Sequence, residues 1–299
     1  MKIRDLLADN AYQQKKVLEK LLCHHTGLSK EDLVRHYDDE IGEATQAKIK
    51  ADYRKYVDDD KPLEYIFGYV EFFQRKFKID GRSLIPRPET EYMIEAVNEH
   101  VLASSELNKD TQKVLLDVGT GTGVLWLSVL MENNAFFDRA YLTEYYEDTL
   151  SLARENYNDH MPQLGNKTDI RLVHANLIQF LGDQQIVKHE DQPHSIDYTL
   201  VANLPYIPDE VFDTQTEDNV RKREPRPAFV GGHDGLDFYR EMFAQIFGYQ
   251  KTSPQHWTMF LEMMTRQVDI LRKEFGDKIE FDEIKTFHFN IRIVKGVVK

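Results

Sequence analysis

Two short stretches of this chain combine residue types that could do chemistry. The first is Leu115-Leu116-Asp117-Val118-Gly119-Thr120-Gly121-Thr122-Gly123. An apolar run that reads as a buried strand ends in alternating glycines and threonines, and a helical pattern starts at Val124. The glycines permit a tight turn and let a ligand approach the backbone closely, and the helix behind them presents open N–H groups. The spacing is G-x-G-x-G, not the G-x-G-x-x-G of dinucleotide folds. An acid, Asp117, precedes the glycines, where it would repel a pyrophosphate and attract a cationic amino group. A second acid, Glu144, ends the next expected strand, and a carboxylate there can accept both hydroxyls of a ribose. A ligand with a ribose, an ammonium and a sulfonium suits this set, and S-adenosylmethionine (SAM) has all three. A structural Gly-rich turn is the competing reading of the glycines alone; the strand context and Glu144 favour the cofactor.

The second stretch is Asn203-Leu204-Pro205-Tyr206, placed directly after an expected strand at 197–202. In open α/β sheets, ligands bind outside the carboxyl ends of the strands, so these residues are expected to face the methyl group of a SAM held by the glycine turn. A planar –NH2 is a poor nucleophile because its lone pair is delocalised. The Asn203 side-chain oxygen can accept one of its N–H groups and the Leu204 carbonyl the other. Pro205 stiffens the turn, and Tyr206 can stack on a flat target. Holding both N–H groups aims the lone pair at the methyl, which is catalysis by position and electrostatics, with no strong base required. Asn203 therefore counts both as a catalytic residue and as one that lies against the cofactor. An ordinary loop, where Asn and Pro are common, is the bland reading.

The elements that must position these stretches follow from periodicity. Residues 1–61 carry i, i+3, i+4 apolar spacing: Leu6 and Leu7, then Val17, Leu18, Leu21 and Leu22, then Leu33, Tyr37 and Ile41. Ser29 with Asp32 resembles a capping box. This is a small helical bundle. Residues 62–83 switch to period two and read as a connecting β-hairpin with a turn at Asp80-Gly81. Thr90 reads as the N-cap of a helix over 92–102. From about residue 113, strands and helices alternate, ending in a strand pair at 279–286 and 289–294. The expected fold is α/β: a Rossmann-like, class I, SAM-dependent methyltransferase domain over 84–299, following the bundle and the hairpin.

Composition excludes several classes. The chain has 299 residues with 38 Lys+Arg against 51 Asp+Glu, a net charge of −13. Residues 1–80 hold 15 Lys+Arg and 16 Asp+Glu, a net of −1; the rest hold 23 and 35, a net of −12. A protein that grips nucleic acid by its phosphates carries a basic face, so stable nucleic-acid binding is not expected. The single cysteine, Cys23, excludes an intramolecular disulfide and a Cys-rich zinc site. The eleven histidines show no H-x-x-x-H pair, so no metal site is expected. The opening residues lack a leader's apolar run and no stretch suits a membrane span, which predicts a cytoplasmic monomer. Arg87, between prolines, reads first as the partner of a carboxylate. Glu262, at a strand end, and Arg221-Lys222-Arg223 read as solvated.

With these residues in view, the sequence resembles the HemK/PrmC-type methyltransferases that modify the N5 of glutamine in peptide chain release factors. The resemblance rests on Pro62-Leu63-Glu64-Tyr65-Ile66-Phe67-Gly68, on Leu84-Ile85-Pro86-Arg87-Pro88-Glu89-Thr90-Glu91, and on Glu224-Pro225-Arg226-Pro227-Ala228 with Gly231-Gly232-His233-Asp234-Gly235-Leu236. It implies that the substrate is the glutamine of a Gly-Gly-Gln motif and that the bundle docks the release factor. It also implies that Gly119, Thr120, Gly121, Thr122, Gly123 and Glu144 hold SAM, with Asn176 and Leu177 beside the adenine, and that Asn203 to Tyr206 grip the glutamine amide. Two positions depart from the family pattern. Leu204 replaces the first Pro of N-P-P-Y, a place where the role belongs to the backbone carbonyl, and Asn176 replaces an Asp. The form N-L-P-Y also occurs in adenine dimethylases of ribosomal RNA. An N6-adenine methyltransferase acting on RNA or DNA is therefore the alternative, and a non-catalytic SAM-fold protein is a third reading. The acidity of residues 81–299 favours a protein substrate.

Overall fold

The computed structural model describes residues 1–104, 111–133, 135–165, 167–182, 195–249, 254–286 and 291–299. The chain divides into two compact units, Met1–Gly68 and Tyr69–Lys299.

The first unit holds five helices: α1 (Ile3–Ala8), α2 (Lys15–Thr26), α3 (Lys30–Arg35), α4 (Glu43–Val57) and α5 (Leu63–Phe67). Leu18, Leu21 and Leu22 of α2 are fully buried and pack with Leu6, Leu33 and Ile49. Gly27, at φ 73°, ends α2, and Ser29 starts α3 by accepting the Asp32 N–H at 3.0 Å. Such a cap stabilises a helix by about 1 kcal/mol. Leu33 and Ile41 are both buried in this core, whereas Tyr37 is exposed because α3 ends at Arg35. Residues 63–67 are helical, so the hairpin is narrower than the period-two reading of 62–83. Its strands, β1 (Tyr69–Phe72) and β2 (Arg75–Lys78), belong to the second unit.

The second unit continues with α6 (Glu91–Ser104), β3 (Thr111–Val118), α7 (Val124–Glu132), β4 (Arg139–Glu144), α8 (Glu147–Leu164), β5 (Asp169–His174) and β6 (Ser195–Ala202). Then come α9 (Asp209–Gln215), α10 (Asp218–Arg223), α11 (Asp237–Gly248), β7 (Gln255–Met264), α12 (Thr265–Phe275), β8 (Ile279–Thr286) and β9 (Ile291–Val298). Phe289 and Asn290, expected to open the last strand, lie outside the described residues.

The seven strands from β3 onward form one sheet in the order β5-β4-β3-β6-β7-β9-β8. The first five are parallel, and β9 and β8 close the edge antiparallel. Central strands buried on both faces must be apolar throughout, and the last five residues of β3 and of β6 are all buried. Asp117 is the exception within β3. Asn156 of α8, fully buried, ties the hairpin to the glycine turn: its Nδ2 donates to the carbonyls of Lys78 and Thr122, and its Oδ1 accepts the Lys78 N–H.

Candidate functional site

The strand order turns back on itself between β3 and β6, which are paired in register with Asp117 opposite Val201. The chain leaves both carboxyl ends side by side, so the glycine turn and the Asn-Leu-Pro-Tyr loop meet although some 80 residues separate them. A cavity of about 960 Å³ opens there, lined by Gly119, Gly121, Thr143, Glu144, Asn176, Leu177, Asn203, Leu204 and Pro205 among others. Parallel sheets place ligands at such a point. Among the described residues, no group of three or more His, Cys, Asp and Glu is arranged to hold a metal ion.

The glycine turn is built by close approach. Gly119 sits at φ 71°, and a Cβ there would lie 2.9 Å from Leu204 Cδ2. Leu204, 3% exposed, thus packs its side chain against the turn and is itself among the residues that line the cavity. Thr120, Thr122 and Gly123 complete the turn behind the cavity wall; the Gly119 and Thr120 N–H groups both donate to the Thr143 carbonyl.

Asp117 also lies behind the wall. It is 2% exposed and accepts the Thr120 hydroxyl at 2.7 Å, so its carboxyl braces the turn from within. Burial pushes it up to about 7, against the Thr120 hydroxyl and the Trp126 backbone, which lower it, while the Glu144 charge raises it further. A carboxyl raised from ~3.9 in the unfolded chain takes up a proton on folding, so its contribution to stability is present at low pH and is lost as pH climbs through 7. Asp117→Asn removes that slope. Relative to wild type, the variant is expected to gain stability between pH 4 and 7, by at most ~1.4 kcal/mol per pH unit. Urea unfolding across that range checks it; a constant difference contradicts it.

Glu144 lines the cavity at the end of β4. Its Oε2 accepts the Gly121 N–H at 3.1 Å, and its Oε1 accepts those of Tyr145 and Tyr146 at 2.9 and 3.1 Å. Burial raises its carboxyl, and these three backbone donors and the His174 charge oppose the rise. Of the about four lone-pair sites of a carboxylate, these donors take both on Oε1 and one on Oε2, so Oε2 keeps one acceptor site for a ribose hydroxyl. Asn176 follows β5. Its Nδ2 donates to Glu241 Oε1 at 2.6 Å, so its Oδ1 is the end that could accept a ligand's N–H, such as an adenine amino group. Leu177 lines the cavity at φ 52°, a left-handed conformation that costs ~1 kcal/mol or more in a non-glycine residue and that collects at ligand sites. A flexed turn, a carboxylate acceptor and an amide oxygen around one cavity fit SAM.

The Asn-Leu-Pro-Tyr loop is clamped from the side away from the cavity. Asn203 Nδ2 donates to Thr90 Oγ1 at 3.2 Å, and Thr90 Oγ1 donates to Glu262 Oε2 at 2.7 Å. The Tyr206 hydroxyl donates to Glu262 Oε1 at 3.0 Å, so Tyr206 is tethered and lies outside the cavity lining. Burial, then the Glu262 charge, holds the Tyr206 phenol well above its ordinary value, so it stays a donor. Gln267, 3% exposed, donates from Nε2 to the carbonyls of Tyr206 and Asp234. Gly235, at φ 77°, lies against the Tyr206 carbonyl where a Cβ would collide with it.

Two of these residues differ from their sequence reading. Glu262 is 1% exposed, not a solvated strand end, because Thr90, Tyr206 and the neighbouring strands cover it. The Thr90 hydroxyl goes to Glu262 instead of capping α6. Gln267 and Gly235 had no assigned role, although Gly235 stands in the quoted Gly231-to-Leu236 stretch. Arg87 pairs with a carboxylate as read, donating to Glu224 Oε1 at 2.7 Å, while Glu224 Oε2 accepts the Ile85 N–H. That contact joins the two signature stretches. Arg221, Lys222 and Arg223 are exposed on α10. No described helix is long and apolar enough to cross a membrane.

The family model for the PrmC N-terminal domain matches residues 2–68. The chain is similar to the release factor glutamine methyltransferase of Chlorobaculum tepidum, 31% identical over 224 residues, which cover 75% of this chain and 70% of that protein. The protein of the same name from Bacillus cereus is 29% identical over 229 residues, covering 76% and 73%. The one from Caulobacter vibrioides is 29% identical over 299 residues, covering 98% and 93%.

Proposed function

Because the chain belongs to the release factor glutamine methyltransferase family, we propose that it methylates the side-chain amide nitrogen (N5) of the glutamine in the Gly-Gly-Gln motif of peptide chain release factors. The observation that carries this reading is the orientation of Asn203. Its Nδ2 is engaged by Thr90, so its Oδ1 is turned the other way, as an acceptor for an amide N–H.

When bound, SAM supplies an electrophilic methyl on a sulfonium. Gly119 and Gly121 would give it a close backbone surface, Glu144 Oε2 would accept a ribose hydroxyl, and Asn176 with Leu177 would take the adenine. Asp117, Thr120, Thr122 and Gly123 hold the turn in shape. Asn203 Oδ1 accepts one N–H of the target amide and the Leu204 carbonyl the other, with Pro205 limiting the turn's freedom and Tyr206 at the flank of the flat target. The two acceptors rotate the amide so that its nitrogen lone pair leaves conjugation and points at the methyl. No described side chain has to abstract a proton first, since the methylated nitrogen is acidic enough to lose one afterwards.

The unit Met1–Gly68 is the part we assign to release-factor docking, which its match to the PrmC N-terminal domain supports. The −12 of residues 81–299 supports a protein substrate over a nucleic acid. A reducing, cytoplasmic compartment agrees with the lone cysteine. Incubation with SAM and a bacterial release factor is expected to add about 14 Da, one CH2, to the peptide that carries Gly-Gly-Gln. Label transferred to RNA or DNA and not to the release factor overturns the reading in favour of adenine methylation.

A further inference from the structure

The loop that holds the target amide depends on a buried carboxylate 59 residues further along the chain. Glu262 reaches the end of β7 fully enclosed, with Thr90 on one oxygen and Tyr206 on the other. Asn203 also lies within hydrogen-bonding reach of it. Both of its oxygens therefore act as acceptors, as an ionised carboxylate must. Its main-chain carbonyl accepts the Tyr239 hydroxyl, and Tyr239 makes a backbone hydrogen bond with Leu204. One residue thus engages three of the four positions of the loop, directly or through one intermediate.

The consequence lies in proton counting. A threonine hydroxyl has one proton. Thr90 gives its proton to Glu262, so toward Asn203 its oxygen can only accept. Only the NH2 end of the Asn203 amide can meet an acceptor, and the C=O end is forced the opposite way. An unconstrained Asn has two nearly isosteric orientations, and the reversed one would present donors to the substrate's N–H groups. We propose that Glu262 and Thr90 are positioning residues that lock the Asn203 amide with its oxygen toward the substrate, while Glu262 anchors Tyr206 beside it. This rests on the reading of Asn203 as the acceptor for the target amide. Neither residue touches the substrate; both act through Asn203 and Tyr206.

The test compares Thr90→Val, Thr90→Ser, Glu262→Gln and Asn203→Ala in the full chain, with a bacterial release factor as substrate. Thr90→Val keeps the shape and removes the hydroxyl, and Glu262→Gln replaces one acceptor oxygen by a donor, which reverses the chain of donations. Each is expected to lower kcat about 10- to 100-fold, with the Kd for SAM and the KM for the release factor within about twofold of wild type. Thr90→Ser, which restores the hydroxyl, recovers most of the turnover lost in Thr90→Val. The double variant Thr90→Val/Glu262→Gln is no worse than its poorer parent, because both changes release the same amide. Thermal unfolding midpoints show whether Glu262→Gln keeps its fold; if it does not, the Val and Ser pair decides the matter. If Asn203→Ala is inactive while Thr90→Val turns over within twofold of wild type, this proposal falls and the assigned role of Asn203 stands. Full turnover in Asn203→Ala overturns both. Equal loss in Thr90→Val and Thr90→Ser also overturns it, since bulk rather than the hydroxyl would then matter.

Discussion

Replacing Asn203 by alanine is expected to lower kcat by about 10²-fold or more, with SAM affinity close to wild type. On the proposed reading, the substitution removes the side-chain acceptor assigned to the amide and leaves the Leu204 carbonyl alone to orient it. An amide held at one N–H rotates, and its lone pair stays conjugated with the carbonyl. The contacts we assign to the cofactor lie elsewhere, on the glycine turn, Glu144 and Asn176, and Asn203 is assigned only a flank of them. Asn203→Asp does not rescue turnover. It keeps an acceptor but puts a second carboxylate beside Glu262, and it loses the donor that Thr90 requires. Single-turnover kinetics with release factor, beside calorimetry with SAM, separates the two quantities. Matching losses in turnover and SAM affinity would contradict the role assigned to Asn203.

Glu144→Ala should show the reverse pattern. Its oxygens hold the Gly121, Tyr145 and Tyr146 N–H groups and face the cavity. Hydrogen bonds to a charged group contribute about 1.5–3 kcal/mol each. Loss of one toward the ribose therefore raises the Kd for SAM about 10- to 100-fold. With the cofactor saturating, kcat remains within a few-fold, because the amide-holding loop is untouched. Glu144→Gln, which keeps one acceptor oxygen and the shape, falls between. Since burial lifts the Glu144 carboxyl, SAM binding weakens on acidification at a higher pH than a free glutamate's ~4.3 would suggest. Unchanged SAM affinity in Glu144→Ala would remove this residue from the cofactor site.

The residues that need a local conformation were the ones legible in the sequence. A left-handed turn at Gly119, a cap at Ser29, and a strand rich in Val and Leu each follow from interactions within a few residues. So did the order of strands and helices, and with it the place of both motifs at strand ends. The signature stretches pointed to the family on their own. The bundle was readable too, except where α3 stopped short and left Tyr37 outside the apolar stripe.

What the tertiary structure decided is which polar groups lose water and what replaces it. The pairing of β3 with β6 brings the glycine turn beside Asn203, and nothing local to either segment encodes that neighbour. Asp117 was read as facing a ligand, yet the packing turns it inward onto Thr120. Glu262 was read as solvated because charged strand ends usually are; it is buried because a threonine 172 residues earlier donates to it. Periodicity reports which face of an element is apolar. A buried carboxylate is tolerated only when distant chain supplies its donors, and that supply exists only after the chain has folded.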